Sequence, residues 1–169
     1  TLFPYTTLFR SRINAILKDP EYQTYLREIG ICEKDRIFCR HNMAHFLDVA
    51  RLAWIFNLEE HMNLERERIY AAALLHDIGR HLQYREGIPH EKASEKLAAP
   101  ILERCGFENK EKEEILKAIA DHRSKEIAQE RTLSGILYRA DKMSRSCFGC
   151  GAEQQCDWSA EKKNKRIIR

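Results

Sequence analysis

Six side chains that can ligate a metal recur at the ends or on the inward faces of apolar runs: His45, His76, Asp77, His90, His122 and Asp141. The central pair, His76-Asp77, closes Ala71-Ala72-Ala73-Leu74-Leu75, an almost unbroken apolar helix. A helix that is hydrophobic on every face has to be buried. An ionised carboxylate at its end is costly to bury without a neutralising partner. A divalent first-row metal meets both demands, because imidazole and carboxylate are good ligands for it. Adjacent helical residues diverge by ~100°. His76 and Asp77 can therefore hold one ion from two sides, or share two ions if the carboxylate bridges. For the pair taken alone, the competing reading is a capping aspartate and a packed histidine.

The flanking helices change that balance. His45 is in line with Val49, Leu52 and Phe56, and His76 with Ile69, Ala72 and Ala73. His90 heads a stripe of Ala93, Ser94 and Leu97, and His122 closes one of Ile115, Ala118 and Ile119. Asp141 shares its stripe with Leu133, Leu137 and Ala140. A single buried histidine is usually a hydrogen-bonded core residue. Five ligand-type side chains on five helices, with Asp77 added, point to convergence on metal. His41, His61 and His81 lack this alignment and read as solvated.

The residues His45-Phe46-Leu47-Asp48-Val49-Ala50, His76-Asp77-Ile78-Gly79, Pro89-His90-Glu91, Asp121-His122-Arg123 and Arg139-Ala140-Asp141-Lys142 resemble, in order and spacing, the HD-domain metal-dependent phosphohydrolases. The match is to the bacterial His–HD–His–His–Asp type and covers about residues 38–156. The resemblance implies that His45, His76, Asp77 and Asp141 bind a first metal. It further implies a second metal at His90 and His122, with Asp77 bridging. The family contains nucleotide phosphohydrolases, cyclic-nucleotide phosphodiesterases and dinucleoside polyphosphate hydrolases. The chain lacks the Gly-Tyr-Pro extension of the branch that acts on cyclic dinucleotides, which argues against that substrate.

A bound metal acidifies its water toward neutral pH, and two metals ~3.5–4 Å apart can hold nucleophile and phosphoryl oxygen together. Mixed imidazole and carboxylate ligands suit Fe, Mn, Co, Ni or Zn better than Mg. Phosphoryl transfer then needs positive charge around the equatorial oxygens. Arg80, Arg123 and Lys142 follow proposed ligands closely enough to supply it, and each is otherwise a solvated surface charge. The expected catalytic residues are Asp77, Arg80 and Lys142. The expected function is metal-dependent hydrolysis of a nucleotide, dinucleotide or other small phosphate ester. The alternative is a non-catalytic, metal-stabilised module that senses a ligand or binds a partner.

Cys147-Phe148-Gly149-Cys150 with Cys156 forms a Cys-x2-Cys-x5-Cys run just after Asp141. Cys39 lies six residues before His45, and Cys147 six after Asp141. If His45 and Asp141 meet at one metal, both cysteines are tethered to that neighbourhood. Four thiolates would suit structural Zn or an iron–sulfur cluster; the competing reading is a set of buried or free thiols. Cys32 and Cys105 fit no grouping and read as core thiols.

The elements that must position these residues are helical. The 169-residue chain has 43% hydrophobic and 33% charged residues, with seven Gly and four Pro, and shows no strand alternation, repeat or linker. We expect a single all-α domain, an HD-type helical bundle, over residues 12–158, followed by a basic tail at 159–169. Residues 1–11 look like translated sequencing adapter and are set aside as non-native. Helices are expected from Pro20 to about Ile29, stopped by Gly30, and from His41 to Asn57, with a helical turn between Glu33 and Phe38. Asn63 is expected to cap a helix from about Glu65 to Ile78, and a polar loop to run from Gly79 to Pro89. Further helices are expected from His90 to Gly106, kinked by Pro100, then after a cap at Asn109, and from Leu133 to Met143.

A net charge of +3 is too small to argue for a nucleic-acid polymer or a membrane surface. No apolar run reaches the ~20 residues of a bilayer span. With no secretory signal pattern, the six cysteines read as cytoplasmic thiols or metal ligands rather than a disulfide framework.

Overall fold

The computed structural model describes residues 5–167, with side chains from residue 12 onward. Among the described residues there are eight α-helices and no strand. They are α1 (Tyr5–Lys18), α2 (Pro20–Cys32), α3 (Met43–Glu59), α4 (Arg66–Leu75), α5 (Arg80–Glu86), α6 (His90–Arg104), α7 (Asn109–Asp121) and α8 (Leu133–Met143). Residues 1–4 of the segment read as adapter lie outside the described residues. Among the described residues no helix is long and apolar enough to cross a membrane.

The middle of the bundle is α4. Ile69 and Ala71 through Leu75 are buried, and the helix packs against α1, α3, α6, α7 and α8. Small residues on all sides let five neighbours close around it. Phe46, Val49 and Phe56 of α3, Ile101 and Leu102 of α6, Ile115 of α7 and Ile136 and Leu137 of α8 complete the core.

Local chemistry explains where the helices start and stop. Asp19 caps α2, accepting from the backbone N–H groups of Glu21 and Tyr22 at 3.0 and 3.1 Å. Arg104 of α6 then clamps the same carboxylate at 2.8 and 3.0 Å. Gly30 does not stop α2, which runs on to Cys32; a mid-helix glycine costs only about 1 kcal/mol. Residues 33–35 form a turn and not a helical turn extending to Phe38.

Asn63 is not the cap of α4. It adopts a left-handed conformation, φ 57°, which asparagine tolerates. Asn57 instead ties down this corner, bonding Leu64 N at 2.9 Å and Leu64 O at 3.2 Å. The cap of α7 is Glu108, in a reciprocal box with Glu111, rather than Asn109.

The expected loop at 79–89 contains helix α5. His81, expected to be solvated, is buried there. It stacks on Tyr25 of α2 with ring centroids 5.4 Å apart, and its Nδ1 bonds Ile78 O at 2.9 Å. Tertiary packing against α2 thus makes a helix of a stretch that shows no periodicity of its own. Gly87, at φ 72°, ends it.

Candidate metal centre

The centre is built where α4 ends. His76 and Asp77 leave the helix in a tight turn that leads into α5. Gly79 brings this turn against α6: its N–H donates to Ser94 Oγ at 2.9 Å. A Cβ at residue 79 would stand 2.5 Å from Ser94 N and 2.6 Å from Ala93 Cβ. The contact sets His90, at the start of α6, beside Asp77.

Asp77 is the hub, and its two oxygens face different partners. Oδ2 lies 3.3 Å from His76 Nε2, 3.7 Å from His45 Nε2 and 3.7 Å from His41 Nε2. Oδ1 lies 3.2 Å from His90 Nε2, 3.7 Å from His122 Nε2 and 3.2 Å from Arg80 Nε. Asp141, near the end of α8, reaches the first group, with Oδ1 3.4 Å from His45 Nε2 and 3.7 Å from His76 Nε2. Two ligand sets result, each with donor atoms mutually within 4.8 Å: His45, His76, Asp77, Asp141, and Asp77, His90, His122. All six residues are buried.

The outer ring nitrogens are tied off. Nδ1 of His76 donates to Ala73 O at 2.7 Å, and Nδ1 of His122 to Ile119 O at 2.6 Å. Nδ1 of His90 meets Gln83 Oε1 at 2.6 Å. Such partners fix the tautomer and turn the basic Nε2 inward, as in metal-binding histidines generally. His76 Nε2 is buried and has no hydrogen-bond partner among the described residues, although two carboxylates face it. A lone pair opposed to two carboxylate oxygens needs a cation between them. Without a metal, the cation is a proton: burial pushes His76 down, but Asp77 and Asp141 more than reverse this, to about 9. The donor set and the orphaned nitrogen therefore fit a transition-metal ion.

Charge around the carboxylates follows the same logic. Burial pushes Asp77 up, but His76, Arg80 and His41 hold it well below the usual carboxylate range. Asp141 behaves likewise, burial being outweighed by His45, His76 and Lys142. Lys142 Nζ sits 2.5 Å from Asp141 Oδ2. Burial, only partly offset by Asp77, depresses His90 to about 2, so it stays neutral and available as a ligand.

Three residues at the centre escape the sequence patterns. His41, expected to be solvated, is buried. Its Nδ1 pairs with the buried Glu33, which also accepts from Tyr84 Oη at 2.6 Å. Arg145 is buried, 3.1 Å from His45 Nε2 and 3.6 Å from Asp141 Oδ1. His41 precedes α3 and Arg145 follows α8, so neither belongs to a helical stripe. The usable signal was distance along the chain, four residues from His45 and from Asp141.

The centre opens on a cavity of about 260 Å³, lined by His41, Asp141, Arg80, Arg123, Lys142 and Arg145, with Phe38 and Trp158 among its walls. All three expected phosphate-binding cations therefore border one space. Arg80 points inward at Asp77, whereas Arg123 is exposed and has no ion pair among the described residues. Cys39, Cys147, Cys150 and Cys156 line the same cavity. No three of their sulfurs lie mutually within 4.8 Å. Cys105 is buried and Cys32 half-buried.

Residues 42–146 match the HD domain family model. The chain belongs to the HD-domain family. It is 46% identical over 156 residues to an uncharacterised protein of Clostridium beijerinckii, covering 92% of this chain and 98% of that one. Its fold is similar to the crystal structure of a predicted HD superfamily hydrolase from an uncultured Thermotogales bacterium, with TM-score 0.59 and 23% identity, covering 90% of this chain and 86% of the other.

Proposed function

We propose that the protein is a metal-dependent phosphohydrolase acting on a small phosphorylated molecule, with a nucleotide or dinucleotide as the favoured class. The observation that carries this reading is Asp77, placed between two ligand sets and beside a cavity rich in cations. Metal bound there supplies an acidified water and positive charge for a phosphoryl oxygen.

The chain's own residues supply the rest. Arg80 is anchored by Asp77 and by Gln83 Oε1 at 3.2 Å, so its fork stays at the cavity while it offers remaining N–H groups to phosphate. Lys142 and Arg123 add charge on the other walls, the pattern phosphoryl transfer requires. His41 is held by Glu33 through Nδ1, which leaves Nε2 as a base directed into the site. Burial keeps His41 below its ordinary range, so it is neutral near pH 7 and can take a proton at Nε2. Phe38 and Trp158 offer aromatic faces on which a nucleobase can stack. The cavity volume suits a small molecule.

The test is a panel of nucleotides, dinucleotides and simple phosphate esters assayed with added Mn or Co, alongside metal analysis. Turnover that requires metal and disappears in His76→Ala and Asp77→Ala is expected. Full turnover in either variant contradicts the reading. Metal-dependent binding of a panel member without turnover points to the sensing module instead.

A further inference from the structure

Four cysteines take no part in the HD metal centre or the apolar core. Cys39 precedes α3, while Cys147, Cys150 and Cys156 follow α8, more than a hundred residues later. All four are free thiols, and all four line the cavity. Cys39 is near enough to the other three for each to act on its charge.

The segment that carries three of them is poorly held by apolar packing. From residue 144 to 167 it contains only 3-10 turns, and its buried hydrophobic side chains are Cys147 and Ala152. Its ties are polar: Asn164 Nδ2 to Lys142 O at 2.8 Å and to Arg145 O at 2.9 Å, and Phe148 N to Asn164 O at 3.0 Å. Ordering each residue costs about 1–2 kcal/mol of backbone entropy, and small apolar burial of this kind is ordinarily supplemented by a staple.

Spacing between the thiols selects the staple. A single zinc at 2.3 Å from each of four thiolates draws the sulfurs to ~3.8 Å of one another, whereas no three of these lie mutually within 4.8 Å. A four-iron cluster binds each thiolate to a different iron at a corner of its cube, and so holds the four sulfurs farther apart. Its ligands commonly include a Cys-x2-Cys pair. Arg145 borders the same wall and acts on Cys39, and Arg36 donates to Cys39 O at 2.9 Å. These cations offset the negative charge that four thiolates bring.

We propose that Cys39, Cys147, Cys150 and Cys156 hold an iron–sulfur cluster of the four-iron type, separate from the HD metal centre, that pins the segment after α8 across the cavity.

The experiment uses the full chain, purified anaerobically and reconstituted with ferrous iron and sulfide, with iron, zinc and acid-labile sulfide counted per chain. About four sulfides per chain, with broad visible absorption, are expected. Cys150→Ser and Cys156→Ser should each lose the sulfide and the absorption. Asp77→Ala should keep both, which separates this iron from any at the HD centre and from failure of the hydrolase reading. Far-UV circular dichroism checks that the eight helices persist in the cysteine variants. If those variants do not fold, sulfide content and the electron paramagnetic resonance of the dithionite-reduced native chain decide. Absence of labile sulfide in the reconstituted native chain, its retention in both folded cysteine variants, or one zinc per chain released by the same substitutions overturns the proposal.

Discussion

His90 and His122 present their Nε2 atoms to each other at 3.1 Å, while each ring's Nδ1 is occupied by an oxygen on its outer side. Two inward lone pairs at that distance repel unless a cation lies beside both, and Asp77 Oδ1 lies at 3.2 and 3.7 Å to receive the same cation. His90→Ala and His122→Ala should therefore each lower the metal content of the loaded protein by about one ion while leaving the set around His45 filled. Turnover should fall by at least about the 10–100-fold seen when the outer partners of metal ligands are lost. Equal metal content in native and variant chains would contradict the second position. Plasma mass spectrometry on desalted protein reads it.

Gly79 lets the turn after Asp77 touch the backbone of α6, where an added methyl has no room. Backbone is the obstacle, so relief by side-chain rotation is not available. Gly79→Ala should destabilise by about 1–3 kcal/mol and move His90 away from Asp77. Urea denaturation should show the loss, and metal titration a weaker second equivalent. A variant as stable as the native chain would contradict the close approach.

Much of this centre was readable from the chain. The run Ala71–Leu75 demands burial on every side, and His45, His90, His122 and Asp141 lie on stripes whose apolar members pack around it. Helical periodicity therefore carried the bundle and singled out five ligand-type residues, with Asp77 added as the neighbour of His76. His41, Glu33 and Arg145 sit outside the helices, where side-chain direction follows no period, and only tertiary structure brings them inward. The same limit hid α5, whose helix depends on the stacking of His81 on Tyr25. Asn63 misled because asparagine suits both a cap and a left-handed turn, and the turn prevailed.

Glu33 orients His41 while standing outside both ligand sets. Burial raises its pKa, but the His41 imidazole outweighs this and holds it at about 2. Glu33→Gln keeps the shape but lets Nδ1 of His41 accept instead of donate, which reverses the tautomer. Turnover should drop ~10–100-fold with metal content unchanged. Unaltered turnover would show that the pair does not serve the reaction.

Asp19 ties α2 to α6, and its linkage has a definite sign. The Arg104 hydrogen bond lowers its pKa, against the opposing effect of burial. The stabilisation is fully present above the unfolded carboxylate value of about 3.9. It is lost as pH falls through the lower folded value. Asp19→Asn retains the cap but not the charge, so native and variant stabilities should differ by a constant amount down to about pH 4 and converge as pH falls from there toward about 2. A constant difference across that lower range would contradict the ion pair's contribution. Asp19→Ala should cost about 1–2 kcal/mol throughout from loss of the cap.

The central claim is that Asp77 bridges two metal positions, and anomalous diffraction from crystals of the Mn-loaded protein tests it most directly. The account predicts two peaks ~3.5–4 Å apart, one ringed by His45, His76, Asp77 and Asp141 and the other by Asp77, His90 and His122. A single peak against Asp77, or manganese bound only elsewhere, would contradict it.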